Sequence, residues 1–267
     1  MNLPLLKVQE LNKRFGGLIA VENVSFDVHS GEVMGLIGPN GAGKTTIFNL
    51  LAGTLRADAG TVQMDGAPLL NLPPHLIAKL GVMRTFQHNS PFSGMSLVDN
   101  ILVGAHTRFS SGWYSVMTNS ALARRQEVEQ HNRAAHLIDF VGLSDLVETE
   151  VDNLSFGQGR LLELARVLAA EPRVILLDEP AAGLTMNEAD RLSQIIREIS
   201  SQGIAILLIE HDMRFLMPLA QRVAVLDFGV KIAEGTPEEI KRNPDVIAAY
   251  LGETGPQLRL SRGAAEC

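Results

Sequence analysis

Cysteine is nearly missing from this chain. The single thiol is Cys267, the last residue, so no intrachain disulfide can form and the composition fits a reducing compartment. Long apolar runs are missing too. Stretches such as residues 204–209 fall far short of the ~20 residues that a membrane-spanning helix needs, so any membrane role is expected to come through a partner. The opening Met1-Asn2-Leu3-Pro4-Leu5-Leu6-Lys7 has neither a basic segment nor a long apolar one, and no signal peptide is expected. Positive charge is in deficit. With 23 Lys and Arg against 30 Asp and Glu, the net charge is −7, which argues against nucleic acid as the main partner. There are no internal repeats and no low-complexity tract.

What is present reads as a globular protein. Apolar residues make up 46% and charged residues 20% of 267 positions, enough for a large core in one domain or two lobes. The chain is organised around Gly38-Pro39-Asn40-Gly41-Ala42-Gly43-Lys44-Thr45. This is G-x-x-x-x-G-K-[ST], a phosphate-binding loop. The apolar run 33–37 before it reads as a buried strand, and residues 46–52 after it are compatible with a helix. Glycines let the backbone curl so that N–H groups point at phosphate oxygens, and the helix N-terminus adds partial positive charge. Lys44 is expected to reach the β- and γ-phosphates, and the Thr45 hydroxyl to ligate Mg²⁺. Thr46 opens the helix beside them.

Around this loop the pattern alternates between strands and helices. Residues 5–11 and 24–28 read as strands, with a turn at 13–17. That turn places Phe15 on a loop, where it can stack on a base or plug a hydrophobic gap. Residues 60–66 are a strand and turn, 73–80 a helix, and 82–87 a strand ending in Gln87, which can reach Mg²⁺ or an attacking water. From residue 88 to about 164 strands vanish and helical spacing dominates, as in 121–141 with Val128, Ala135, Leu137 and Ile138 apolar. Residues 109–119, with Trp113 and Tyr114, read as a surface loop. Ser155 then stands as the N-cap of a helix over 159–170, a second anion-binding terminus or a simple cap.

Residues 174–178 form an apolar strand ending in Asp178 and Glu179. A continuous apolar run fits a strand buried on both faces of a parallel sheet, and ligands gather at the carboxyl ends of such strands. Asp178 suits a metal, and Glu179 suits a base that takes a proton from water. An amphipathic helix at 187–201 leads to the buried strand 204–209, which ends at His211, a candidate for holding the attacking water. Residues 223–226 are one more strand, 237–242 and 244–251 are closing helices, and the polar tail from 254 is expected to fray.

Taken in order, the P-loop, Gln87, residues 154–158, residues 176–180 and His211 resemble the nucleotide-binding subunit of an ABC transporter, over roughly residues 5–252. The resemblance implies an α/β fold: a mostly parallel core sheet of the P-loop NTPase type, N-terminal antiparallel strands, and an inserted helical subdomain. It implies a RecA-like core and β subdomain at 1–87 and 165–253, a helical signature subdomain at 88–164 and a tail at 254–267. By the same likeness Phe15 stacks on adenine, Gln87 is the Q-loop glutamine and touches the metal, and Asp178 is the Walker B aspartate. Glu179 becomes the catalytic base and His211 the switch histidine. Ser155, Gly157 and Gln158 belong to a signature L-S-G-G-Q in which Phe156 replaces the first glycine. ATP and Mg²⁺ are the implied cofactors. Two subunits, identical or paralogous, would close head to tail on two membrane permease chains served indirectly by an extracytoplasmic solute-binding protein. That places the chain peripherally on the cytoplasmic face of the inner membrane.

The wording of several segments is closer still to the branched-chain (hydrophobic) amino-acid uptake group: Arg14-Phe15-Gly16-Gly17, Arg84-Thr85-Phe86-Gln87, residues 179–184, 209–213 and 243–247, and the extra segment 104–125. Thr185 departs from the Asp or Asn usual after Gly183-Leu184. Rival readings are an ATPase for lipopolysaccharide export, whose sequences look close to this one, and a non-transport ABC ATPase. The absence of a second cassette and of sustained heptads counts against ribosome-binding and DNA-repair forms, but an iron–sulfur-assembly ATPase would share the same motifs. The acidic pair Asp178 and Glu179 counts against a non-hydrolysing sensor.

Overall fold

The computed structural model describes residues 3–85, 91–105, 121–147 and 149–251. Strands β1 (Leu6–Phe15) and β2 (Leu18–Val28) form a hairpin across Gly16-Gly17, with Phe15 paired to Leu18. Pairing carries both strands through the polar residues Lys13 and Arg14, past the end of the apolar alternation. Phe15 therefore ends a strand, which corrects its expected place on a loop. Strand β3 (Val33–Ile37) is buried at every position and runs straight into the P-loop and helix α1 (Lys44–Leu51). The helix begins at Lys44 because Gly43, at φ 102°, turns the loop directly into its first turn. Strands β4 (Ala59–Met64) and β5 (Ala67–Pro68) complete a four-stranded antiparallel sheet in the order β2-β1-β4-β5.

After α2 (Pro74–Lys79) and β6 (Val82–Arg84), three helices pack on one another: α3 (Leu97–Gly104), α4 (Ala121–Val141) and α5 (Phe156–Ala169). On α4 the buried stripe is Ala134, Ile138 and Val141, whereas Val128 is 60% exposed and Ala135 is also exposed. The 3.6-residue period was visible in the sequence, but the choice of face was set by α3 and α5. The chain then alternates through β7 (Val174–Asp178), α6 (Met186–Ser201), β8 (Ala205–Ile209), the short α7 (Met213–Leu216), β9 (Arg222–Asp227) and β10 (Val230–Gly235), and closes with α8 (Pro237–Arg242) and α9 (Pro244–Leu251). Strand β10 has no counterpart in the sequence reading. Every one of its residues is only partly buried, so it shows no alternation, as befits the edge of a sheet.

The second sheet has six strands in the order β10-β9-β3-β8-β7-β6. Its pairings are parallel except for β10 on β9. Both faces are covered, which explains the unbroken apolar runs of the central strands. Val174, Leu176, Leu207 and Ile209 face a cluster with Ile47 and Phe48 of α1 and the inner side of the antiparallel sheet. Ile175, Leu177, Ile206 and Leu208 face a second cluster with Leu162 and Ala165 of α5 and Ile195, Ile196 and Ile199 of α6. Each such Leu or Ile contributes about 1.5–3 kcal/mol by leaving water. The strand order sets β3, β8 and β7 side by side. Register pairs Ile209 with both Leu36 and Asp178, so the P-loop, Glu179 and Glu210 leave the sheet at one level.

Candidate nucleotide site

The P-loop is held by close backbone contacts that only glycine permits. A Cβ on Gly38 would lie 2.1 Å from the Leu226 carbonyl, and one on Gly43 would lie 2.4 Å from the Ala20 carbonyl. The Ala42 carbonyl accepts from Gly229 N–H at 3.1 Å, and the Gly229 carbonyl accepts from Glu22 N–H at 2.8 Å. The loop is thus wedged between β2 and the β9–β10 turn, with Gly41 open above it. Lys44 is buried and folds over the loop, its Nζ donating to the Gly38 and Pro39 carbonyls at 2.7 and 2.9 Å. Burial lowers its pKa, and the nearby Glu179 and Asp178 carboxylates oppose that shift. Thr45 is exposed and Thr46 half-buried on the first turn.

Asp178 ends β7 with its side chain out of water. Oδ2 accepts from Arg84 Nη2 at 2.7 Å, while the buried Oδ1 has no hydrogen-bond partner. An orphaned carboxylate oxygen of this kind fits a hard cation. Among the described residues no three His, Cys, Asp or Glu side chains form a metal cage. Magnesium does not need one, since it is commonly held by one or two carboxylates together with substrate phosphates.

Glu179 follows at φ 50°, a left-handed conformation uncommon for any residue but glycine. It is fixed there by its N–H, which donates to the Ile209 carbonyl at 2.9 Å. Its Oε2 lies 3.1 Å from His211 Nε2. Beside this pair stands a residue that the sequence left without a chemical role. Glu210 is 2% exposed and accepts from Ala181 N–H at 2.8 Å and His211 N–H at 3.2 Å. Burial raises its pKa against these hydrogen bonds. One carboxylate therefore ties the loop after β7 to the end of β8. Its only sequence signal was an acidic residue directly after a buried strand. Arg84 was overlooked in the same way, as a lone cation on a short strand.

Ser155 caps α5 in a reciprocal box: its Oγ accepts from Gln158 N–H at 3.2 Å, and its N–H donates to Gln158 Oε1 at 2.8 Å. The helix starts at Phe156, not at 159, because this box satisfies its first turn. Gly157 and Gln158 are thus in that turn. Thr185 and Glu188 form a matching box on α6, and Gly157 packs against Glu188, where a Cβ would lie 2.2 Å from Oε1. Exposed Phe156 rests on Gly183 and takes the Arg160 guanidinium at 5.1 Å from its ring. Ser155, Gly157 and Gln158 line a cavity of about 240 Å³ with Leu184, Glu188 and Arg191, and no P-loop residue lines it. The fold gathers Lys44, Asp178, Glu179 and His211 at the strand ends. Phe15 is part-exposed, with Lys13 Nζ 5.4 Å above its ring. Gln87, Trp113, Tyr114 and the tail from 254 lie outside the described residues.

A P-loop on one parallel strand, with an aspartate and a glutamate ending another and a histidine ending a third, defines a P-loop nucleoside triphosphatase. The family described as ABC transporter matches residues 21–182, and one described as branched-chain amino acid ATP-binding cassette transporter matches residues 230–255. The high-affinity branched-chain amino acid transport ATP-binding protein LivG of Salmonella typhimurium is 44% identical over 95% of this chain and 100% of its own length. The corresponding BraF of Pseudomonas aeruginosa is 42% identical over 95% of this chain and 100% of its own. A nucleotide-free ATP-binding cassette from an ABC transporter superposes with a TM-score of 0.81 at 32% identity, covering 93% of this chain and 99% of its own. A structure of the ADP conformation of an ATP-binding cassette of an ABC transporter gives 0.82 at 31%, covering 94% and 99%. The chain belongs to the ABC transporter family, as one of its ATP-binding, ATP-hydrolysing cassettes.

Proposed function

We propose that this cassette powers the uptake of branched-chain or other hydrophobic amino acids, closing head to tail with a second cassette on a membrane permease fed by an external solute-binding protein. The observation that carries the ATPase part is the Glu179–His211 contact at 3.1 Å, at the strand ends that also present Lys44 and Asp178. Lys44 exchanges the Gly38 and Pro39 carbonyls for the β- and γ-phosphates, which the loop amides bind alongside it. His211 orients the attacking water, and Glu179 takes its proton. Thr45, Asp178 and Gln87 would hold magnesium, which would screen the charge of the phosphates. Phe15 supplies a face for adenine. Ser155, Gly157 and Gln158 complete the partner's site, so that the chain works only as a pair.

The amino-acid part is supported by the names of the relatives and by the match over residues 230–255. Among the described residues no helix is long and apolar enough to cross a membrane. We propose that the cassette acts on transport by docking at the cytoplasmic face of the membrane. We divide the chain into a core at 1–87 and 165–253 and a helical subdomain at 88–164, with α5 running through the second boundary and joining the two. We place the docking groove between the α/β core and the helical subdomain, at the segment that follows Gln87 in the sequence. Next to it Phe92 is 44% exposed, under the Arg166 guanidinium at 4.7 Å. Its backbone is clamped by the buried Asn100 side chain, which accepts from Phe92 N–H at 2.8 Å. Phe92→Asp can pair with Arg166, so the fold and soluble ATP binding are expected to survive. Copurification with the permease and leucine uptake into vesicles are expected to fall together. A variant that copurifies and transports normally would refute the docking assignment.

A further inference from the structure

Arg84 is a cation placed where a buried carboxylate needs one. It sits on β6 in register with Leu176, one pleat before Asp178 and on the same face of the sheet. Its side chain is 11% exposed and that of Asp178 is 0% exposed. One guanidinium nitrogen holds Asp178 Oδ2 at 2.7 Å and another holds Asn49 Oδ1 at 2.5 Å. The Phe48 ring lies 5.8 Å from the guanidinium carbon, and Arg84 Nε is buried without a partner. The grip is therefore one-sided. It takes one oxygen of Asp178 and leaves the other, Oδ1, unpaired.

A carboxylate wholly removed from water is costly unless a positive charge stands beside it. In the metal-bound state magnesium supplies that charge; at other times this chain must supply its own. Lys44 is shared between two loop carbonyls, which leaves Arg84 as the ion-paired cation of Asp178. We infer that Arg84 is a built-in stand-in for the metal: it neutralises Asp178 between turnovers and holds down the affinity of the metal site, so that the cation binds with nucleotide and leaves with it. The inference rests on the assignment of Asp178 to the metal. Arg84 acts through Asp178 and is a positioning residue, not a catalytic one.

The test uses Mn²⁺ as probe, with binding to the full chain plus ADP followed by electron paramagnetic resonance, and melting measured in EDTA and in excess Mn²⁺. Arg84→Gln removes the charge and leaves Asp178 uncompensated. It is expected to bind Mn²⁺ at least about tenfold more tightly than the parent, because a nearby positive charge no longer opposes the metal. It should also melt lower in EDTA and recover in Mn²⁺, which loss of mere packing would not do. Arg84→Lys keeps the charge and loses the Asn49 bond, so its Mn²⁺ affinity should stay within about threefold of the parent. Mn²⁺ binding by Arg84→Gln that is unchanged or weaker overturns the inference, and so does destabilisation that metal does not reverse. Asp178→Asn separates the two levels. If it binds Mn²⁺ like the parent, the metal assignment itself fails; if it loses Mn²⁺ while Arg84→Gln is unchanged, only the role of Arg84 fails.

Discussion

Replacing Glu179 by Gln isolates the proposed proton-accepting oxygen from everything else that Glu179 does. The backbone at this position is left-handed, φ 50°, and Gln meets the same steric cost there as Glu, so that strain is unchanged. The side chain keeps its length and can still hydrogen-bond His211. What goes is a carboxylate–imidazole contact whose histidine side chain is 56% exposed. A pair so open to solvent contributes at most about 1 kcal/mol, or a melting shift within about 4 °C for a chain of this size. Removing a general base typically costs about 10²–10⁴ in rate, which corresponds to roughly 2.7–5.4 kcal/mol of barrier at about 1.36 per decade. Rate and stability are thus expected to separate cleanly. The assay is phosphate release in a single turnover, with ATP binding by calorimetry and melting on the same preparation. ATP should remain bound and hold the closed pair of cassettes together. Hydrolysis at the parent rate by a folded, ATP-binding variant would refute the assignment and move the base to His211.

The other predictions rest on separate parts of the molecule. Lys44→Ala removes the donor proposed for the phosphates, and a hydrogen bond to a charged group is worth about 1.5–3 kcal/mol, so calorimetry should show roughly a 10- to 150-fold loss of ATP affinity; unchanged affinity would remove Lys44 from the site. Mixing Lys44→Ala with Ser155→Ala chains should restore turnover where homodimers form, since a head-to-tail pair then holds one intact composite site; a mixture as inactive as each parent would mean that both motifs act within one chain. Hydrogen bonds from Thr185 hold the Glu188 carboxyl below its ordinary pKa, and those from Thr236 do the same for Glu239. Groups depressed in the folded state stabilise it above the unfolded carboxylate range and lose that effect as pH falls through the folded values. Thr185→Ala should therefore lower the melting temperature at neutral pH, with the gap closing in acid; a gap independent of pH would separate the cap from the Glu188 charge.

Much of the candidate site could be read from the chain alone, because the chemistry of phosphate binding demands contiguous residues. Glycines at 38, 41 and 43 with Lys44 and Thr45 need one loop between one strand and one helix, and residues 174–179 need only one strand and its end. The buried central strands announced themselves because both faces of the sheet are covered, which leaves no polar position to interrupt them. Tertiary packing decided the rest. The buried face of α4 was chosen by α3 and α5, not by the strongest apolar residues of the helix, so Val128 lies in water. Strand β10 exists because an edge could pair with β9, not because its own pattern called for it. Arg84 and Glu210 were invisible as chemistry because each acts across strands: Arg84 on a carboxylate 94 positions away and Glu210 on an amide 29 positions away. A sequence records which groups are available, while the register of parallel strands decides which charge must neutralise which.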